Sequence, residues 1–438
     1  MILLIAPPIT IPSTMVKRCV PPLGLSYVAS GAREAGHTVE IFDSVIECYH
    51  RESSWGNMLK YGADTEDLSD YLYTLDNVEI AGISCRFSSD IPTITQFAKV
   101  IKAHTNAKVI VGGLHPSLYP DDLKTSSIDY LWKGEGENAF GSKFKMFNDR
   151  IDNLDELPFP SFDLLPMEKY FAINKPFSPV PQGKRVIPIL ASRGCPIGCK
   201  FCANTNFLRK HINRSPDNVV EEMKHWIREY GADEFQFADD NLNFNYNWAM
   251  ELFEKMIPLN IKWCTPNGMM VNRLTIDMLE VMAKSGCYQV TISIDSGNAK
   301  SLKNTHKKPV DLDRVPELID RARDLDMFTH GTVVVGMPGE TMEDIKEGLE
   351  NIAFNFDFTS ISTFIADPIP GSRLYNEMKE KPDWNIDTSV YRLSGLPKEE
   401  LEDLVQKFQE SYNERIKLFY PDEIERKYKG HEPEGRLA

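Results

Sequence analysis

Arg193-Gly-Cys195-Pro-Ile-Gly-Cys199-Lys-Phe-Cys202 sets three cysteines at the spacing C-x3-C-x2-C. The segment follows directly on Ile187–Ala191, an apolar run that reads as a buried strand. Thiolates are the usual ligands of iron–sulfur clusters. Three of them on one loop suit a [4Fe-4S] cubane with one iron left open, and Gly194 and Gly198 let the loop wrap closely around it. Structural zinc is the alternative. It normally takes four ligands, and His211 is the only near candidate for a fourth. The remaining cysteines, at 19, 48, 85, 264 and 287, are scattered. Scattered thiols in a large chain argue for a reducing compartment, and a tight cluster there points to metal.

Downstream of the loop, strands and helices alternate. Strands are expected at Ile187–Ala191, Glu234–Phe237, Ile261–Cys264, Tyr288–Ser293, Thr329–Val335 and Ser360–Phe364, with amphipathic helices between them. Six such units predict a partial (β/α)6 barrel of the TIM type over 186–385. A short helical tail over 386–438 is expected to contain one strong helix, Lys398–Phe419. Upstream, residues 1–145 alternate in the same way and predict a Rossmann-like doubly wound parallel sheet, while 146–185 is a linker rich in Pro and aromatics. The fold class is therefore α/β. Ligands of such sheets bind beyond the carboxyl ends of the strands, which draws attention to the loops after them.

Composition narrows the function. Lys plus Arg is 49 against 64 Asp plus Glu, a formal net charge of −15. That balance argues against nucleic acid as a partner. No stretch approaches the ~20 apolar residues of a membrane span, and Met1–Ala6 reads as a first strand and not as a signal peptide. A cytoplasmic enzyme with no membrane partner is expected.

The cysteine motif, with Phe201 before its last cysteine, resembles the radical S-adenosylmethionine (SAM) superfamily. The resemblance implies that SAM chelates the open iron and that one electron releases a 5′-deoxyadenosyl radical. It extends to later strand ends. Phe235-Gln-Phe-Ala-Asp239-Asp240-Asn241 is similar to the carboxylate segment that meets the SAM ammonium, with Asp239 preferred and Asp240 the alternate. Ser293-Ile-Asp295-Ser296-Gly297 resembles the ribose and carboxylate contact, with Asp in place of the usual Glu. Gly336-Met337-Pro-Gly and the segment containing Ile365 are similar to the turns that flank adenine.

The N-terminal turns resemble cobalamin-binding domains fused to radical SAM domains. They are Pro22-Leu23-Gly24, Ser84-Cys-Arg86-Phe87-Ser88, Gly112-Gly113-Leu-His115, and the loop with Gly134 and Glu135. Small residues after strands would let a nucleotide tail pass between sheet and helices. The Asp-x-His-x-x-Gly motif of histidine-ligating domains is absent, so the cobalt is expected to have no histidine beneath it, with Arg86 or Phe87 there instead.

Together these features resemble the cobalamin-dependent radical SAM enzymes, most of which are methyltransferases. The resemblance implies methylation of an unactivated sp3 carbon from methylcobalamin, with ferredoxin or flavodoxin as electron donor. It extends to the methanogen enzymes that methylate the α-carbon of a glutamine in methyl-coenzyme M reductase, which implies a protein or peptide substrate. The alternatives are a small-molecule methyltransferase and a cyclase or ring-contracting enzyme without methyl transfer. Candidate substrate contacts at the barrel mouth are Trp263, Asn267, Met269, Asn272, Tyr288 and His330, with Tyr288 a candidate catalytic group.

Overall fold

The computed structural model describes residues 1–13, 15–140, 151–204, 210–381 and 395–429. It divides into two compact units, Met1–Phe177 and Ser178–Ala438. The boundaries expected at 145/146 and 385/386 fall outside the described residues.

The first unit contains β1 Ile2–Ala6, β2 Ile9–Pro12, β3 Val39–Asp43, β4 Glu52–Trp55, β5 Met58–Tyr61, β6 Ile80–Ser84, β7 Lys108–Gly112 and β8 Tyr130–Leu131. Its main sheet is parallel, in the order β3-β1-β6-β7-β8. This is a doubly wound order that reverses direction between β1 and β6, and in sheets of this kind ligands bind outside the carboxyl ends of the strands at that point. Leu3, Ile5, Ala81, Val109 and Val111 are buried in its core with Phe97 and Ile101 of the helix Ile91–His104. Strands covered on both faces run nearly continuously apolar, which is why β1 was legible.

The short antiparallel sheet β2-β5-β4 was not foreseen. Its strands have four residues each, and β4 is exposed throughout, so no two-residue periodicity marks them. Residues 151–177 of the Pro-rich stretch belong to this unit, and 178–185 belong to the second. Phe162, Tyr170 and Phe171 are buried, the Ser161 amide donates to Ser26 O, and Tyr170 Oη donates to Asp43 Oδ2 at 2.5 Å.

The second unit holds β9 Val186–Ile189, β10 Ser192–Arg193, β11 Ile212–Asn213, β12 Glu234–Phe237, β13 Lys262–Met269, β14 Cys287–Asp295, β15 Phe328–Val335 and β16 Ser360–Ile365. The long strands pair in parallel and in chain order, β9-β12-β13-β14-β15-β16. This is the open six-stranded barrel sheet expected from the sequence. Helices start where caps dictate: Ser215 Oγ accepts from the Asn218 amide at the head of Pro216–Tyr230, and left-handed Gly231 ends that helix.

The helix Lys398–Phe419 lies along the edge strand β16, where Gln409 Nε2 donates to Ile361 O. A covered edge no longer offers its backbone groups to another chain. Among the described residues no helix is long and apolar enough to cross a membrane.

The next helix, Pro421–Tyr428, carries a buried amine, Lys427 Nζ, that donates to Ser360 Oγ at 2.6 Å. Burial lowers its pKa to about 7, against the raising effect of Glu423. The unfolded chain therefore binds a proton between pH 7 and about 10.5 that the folded chain refuses, so this site adds stability as pH rises through that window. Lys427→Met should raise the melting midpoint at pH 7 by about 2–4 °C. The gain should shrink toward pH 10, as calorimetry across that range would show.

Candidate functional site

The cysteine loop leaves the carboxyl end of β9, and three consecutive residues after β12 hold its leading limb. Asp239 accepts from Ser192 Oγ at 2.6 Å and from the Ala191 amide at 3.2 Å. Asp240 accepts from the Gly194 amide at 2.9 Å and from Asn204 Nδ2. Asn241 Nδ2 donates to Cys195 Sγ at 3.6 Å. The far limb is fixed independently. The Lys200 amide donates to His306 O, the Leu374 amide donates to Lys200 O, and Phe201 packs on Met337, Leu374 and Ala366. Met337 itself is buried, and its amide donates to Glu340 Oε2 at 2.8 Å.

Burial pushes the Cys199 thiol up to about 12 and raises Cys202 as well. Without a cation both stay protonated at neutral pH, and a bound metal ion would convert them to thiolates. Among the described residues no three His, Cys, Asp or Glu side chains converge on one metal-sized point. Thiolates that each take a different iron of a cubane need no such convergence. The donor set, three thiols on one loop with an amide N–H aimed at one sulfur, fits the cluster.

The two carboxylates of the 239–240 pair play different parts. Asp239 is buried, with both oxygens turned to its own chain, and burial raises its pKa to about 7. Asp240 is only partly covered and sits beside the loop. Both carboxylates already accept two hydrogen bonds from the loop, so exposure alone separates them, and it favours Asp240, the alternate, over Asp239.

Strand irregularities mark the same end of the sheet. β13 shifts register between Thr265 and Met269, and β14 shifts between Ser293 and Asp295. Bulges of this kind re-aim side chains at strand ends. Asp295 takes a left-handed backbone, φ 60°. Its carboxylate pairs with Lys308 Nζ at 2.7 Å, and the same ammonium donates to Ser293 O at 2.9 Å. Both charges lie within electrostatic reach of Cys199. Lys308 was missed in the sequence because Lys307-Lys308 reads as a solvated charge run; only the fold turns one of the two inward. Ser296 Oγ accepts from the Asn298 amide, and left-handed Gly336 packs against Leu401 and Ile365.

Three of the candidate substrate residues are at the wrong end. Tyr288 is the second residue of β14, seven positions before Asp295, a separation of about 23 Å along a strand. Its hydroxyl donates to Glu234 Oε1 at 2.8 Å, at the amino end of the barrel. It is buried structure there and not a catalytic group at the mouth. Trp263 Nε1 donates to Ser285 O, and His330 Nδ1 contacts Ser360 Oγ at 2.8 Å, both near the amino ends of their strands. Asn267, Met269 and Asn272 do cluster at the carboxyl end of β13, where Asn267 Nδ2 donates to Ala238 O and Asp239 O.

In the first unit the loop after β6 is tied down at three points. The Phe87 amide donates to Asp90 Oδ2, Ser88 Oγ contacts His115 Nδ1 at 3.0 Å, and the Cys85 amide donates to Gly112 O. Arg86 and Phe87 are left projecting, with the guanidinium 5.7 Å from the ring centroid. His115 is buried, and burial lowers its pKa, so the ring is neutral.

The glycines supply the cradle. A Cβ on Gly24 would meet nothing within 4 Å, whereas one on Gly113, φ +120°, would lie 2.5 Å from Cys85 O. Gly134, also at positive φ, donates its amide to Ser117 Oγ. Pro22 and Leu23 sit at the head of the helix Leu23–Glu34, and Glu135 Oε2 accepts from the Ile151 amide. Open space at Gly24 and close backbone crossing at Gly113 fit a ligand lying over the strand ends.

Comparison with known proteins agrees. The profile of the radical SAM superfamily matches residues 189–352, and that of the B12 binding domain matches residues 10–142. The cytidylyl-2-hydroxyethylphosphonate methyltransferase of Streptomyces wedmorensis is 30% identical over 94% of this chain and 90% of its own. An uncharacterised methyltransferase of Pyrococcus horikoshii is 29% identical over 97% and 95%. The structure of the radical SAM methyltransferase TsrM from Kitasatospora setae, solved with cobalamin and a [4Fe-4S] cluster, shares the fold. Its TM-score is 0.65 at 16% identity, covering 86% of this chain and 74% of that one.

Proposed function

The chain belongs to the cobalamin-dependent radical SAM methyltransferases, which use SAM, a [4Fe-4S] cluster and cobalamin, and from that premise we propose that it methylates an sp3 carbon of a small molecule. The observation that carries the reading is the clamp of Asp239, Asp240 and Asn241 on the cysteine loop. It holds the loop at the carboxyl end of the barrel sheet, where Cys199 lies within electrostatic reach of the Asp295–Lys308 pair and Cys202 within reach of Asp295.

When bound, the three cofactors supply one-electron cleavage of a sulfonium, hydrogen removal from the substrate carbon and a transferable methyl group. The protein binds and orients. Cys195, Cys199 and Cys202 hold the cluster. Asp240, partly open beside the loop, accepts from the SAM ammonium. Lys308 has three N–H donors; it pairs with Asp295 and donates to Ser293 O, and a remaining N–H would meet the SAM carboxylate. Ser296, Gly336, Met337 and Ile365 border the nucleoside. In the first unit Pro22, Leu23, Gly24, Ser84, Gly112, Gly113 and Gly134 line the cobalamin cradle. Arg86 and Phe87, exposed on the loop after β6, would line the corrin site. The electron comes from a reduced ferredoxin or flavodoxin, and a low-potential cluster of this kind supports a cytoplasmic setting.

A small molecule is favoured over the glutamine of methyl-coenzyme M reductase because the 30%-identical relative that spans the chain is named for a nucleotide-linked phosphonate. Anaerobic turnover with SAM deuterated at its methyl group, with cytidylyl-2-hydroxyethylphosphonate as the first small-molecule probe, should leave label in a methylated product together with 5′-deoxyadenosine. A product free of label, formed with 5′-deoxyadenosine, would replace this reading with a cyclase. Label in a glutamine of added methyl-coenzyme M reductase would make the substrate a protein.

A further inference from the structure

We propose that Asn241 sets the reduction potential of the cluster, through the hydrogen bond from its side-chain amide to Cys195 Sγ. The donor is built and held. Asn241 is 3% exposed, and its Nδ2 lies 3.6 Å from the sulfur. Its backbone carbonyl lies 3.0 Å from His211 Nε2, and His211 in turn packs on Phe244, ring centroids 4.9 Å apart. Two residues on, Asn243 both donates to and accepts from the Met270 backbone, which pins the segment to the end of β13.

The opposite side of the same amide is the second observation. Among the described residues, Asn241 Oδ1 is buried without a hydrogen-bond partner. Leaving a buried carbonyl unpaired costs stability. An apolar residue would avoid that cost, and a hydroxyl would avoid most of it. The cost is borne where the N–H end has a task, and among the described residues that end donates to Cys195 Sγ alone.

Reduction adds one electron, part of whose charge falls on the thiolate sulfurs. A hydrogen bond to sulfur stabilises the more negative state and raises the potential. Asp239 and Asp240 hold the backbone of the loop, whereas Asn241 alone among the three touches a ligand atom. It is therefore a positioning and tuning residue whose effect reaches SAM only through the cluster.

The inference rests on Cys195 being a cluster ligand, and loss of iron in Cys195→Ala tests that premise separately. The test of Asn241 uses the full chain, anaerobically reconstituted and free of SAM, with the midpoint potential read by paramagnetic resonance during dye-mediated titration. Asn241→Leu should keep its iron and sulfide and shift the potential negative by about 60 mV, a tenfold change in a one-electron equilibrium. Asn241→Asp, which replaces the donor by a carboxylate of the same shape, should shift it further in the same direction. In heavy water the wild-type cluster should show a coupled exchangeable deuteron that Asn241→Leu lacks. If Asn241→Leu fails to assemble a cluster, the aspartate variant and the wild-type deuteron coupling decide. Unchanged potentials in the cluster-bearing variants, or no coupled deuteron in the wild type, would overturn the proposal.

Discussion

Replacing any one of Cys195, Cys199 or Cys202 by alanine should strip the chain of nearly all its iron and sulfide and reduce SAM cleavage to background. Each thiolate would hold a different iron of the cluster, so losing one would leave a second iron without a protein ligand. Removing an outer-shell partner of a metal ligand already costs roughly 10–100-fold in metal affinity or activity, and removing a ligand costs more. The fold should survive. The clamp on the loop's leading limb uses Ser192, the Ala191 and Gly194 amides and Asn204, and its far limb hangs on His306 O and Leu374 N. None of those contacts uses a cysteine thiol. The matched control is Cys264→Ala. That thiol is buried at the amino end of the barrel against Tyr288, and its loss should leave iron content intact. Iron and sulfide assays with 5′-deoxyadenosine measurement decide the matter. Full iron in any single variant of the triplet would remove the basis of the assignment.

The barrel sheet was legible because most of its strands carry a short apolar or β-branched core, as in Val186–Ile189 and the Val333–Val335 end of β15, set between amphipathic helices. The triplet was legible because its chemistry is local: one loop brings all three donors. What failed was depth along a strand. Tyr288, Trp263 and His330 look like site residues by type, yet each stands near the amino end of its strand, while parallel sheets keep ligands at the other. Direction alone could have removed them. Asp239 and Asp240 could not have been separated in advance, since which carboxylate turns inward depends on Ser192 and Gly194, more than 40 residues away in the chain. Lys308 and Asn241 were hidden for the same reason. A lysine reads as solvent-facing and an asparagine as a turn until tertiary structure gives each a partner.

The Gly112-Gly113 turn yields the sharpest expected effect in the first unit. Gly113 adopts φ +120°, a conformation that L side chains rarely take, and a Cβ there would sit 2.5 Å from Cys85 O. That carbonyl is backbone and already accepts from the His115 amide, so it has little room to yield. Gly113→Ala must then shift the chain from Cys85 onward, which moves Arg86, Phe87 and the Ser88–His115 link together. Strain of this kind costs about 1–3 kcal/mol before the steric clash is added. Cobalamin retained on purification, read from the corrin absorption, should fall at least about 100-fold in affinity terms, since ~2.7 kcal/mol corresponds to that factor. Iron content should stay normal, because the cysteine loop belongs to the other compact unit. Gly24→Ala separates strain from occlusion. Its Cβ meets no atom within 4 Å, and alanine favours the helix Leu23–Glu34, so the cobalamin-free protein should be unchanged or slightly more stable. If that open space is where cobalamin lies, corrin binding must nonetheless weaken. A Gly113→Ala protein with wild-type melting and full corrin content would show that the turn is neither strained nor part of the cradle.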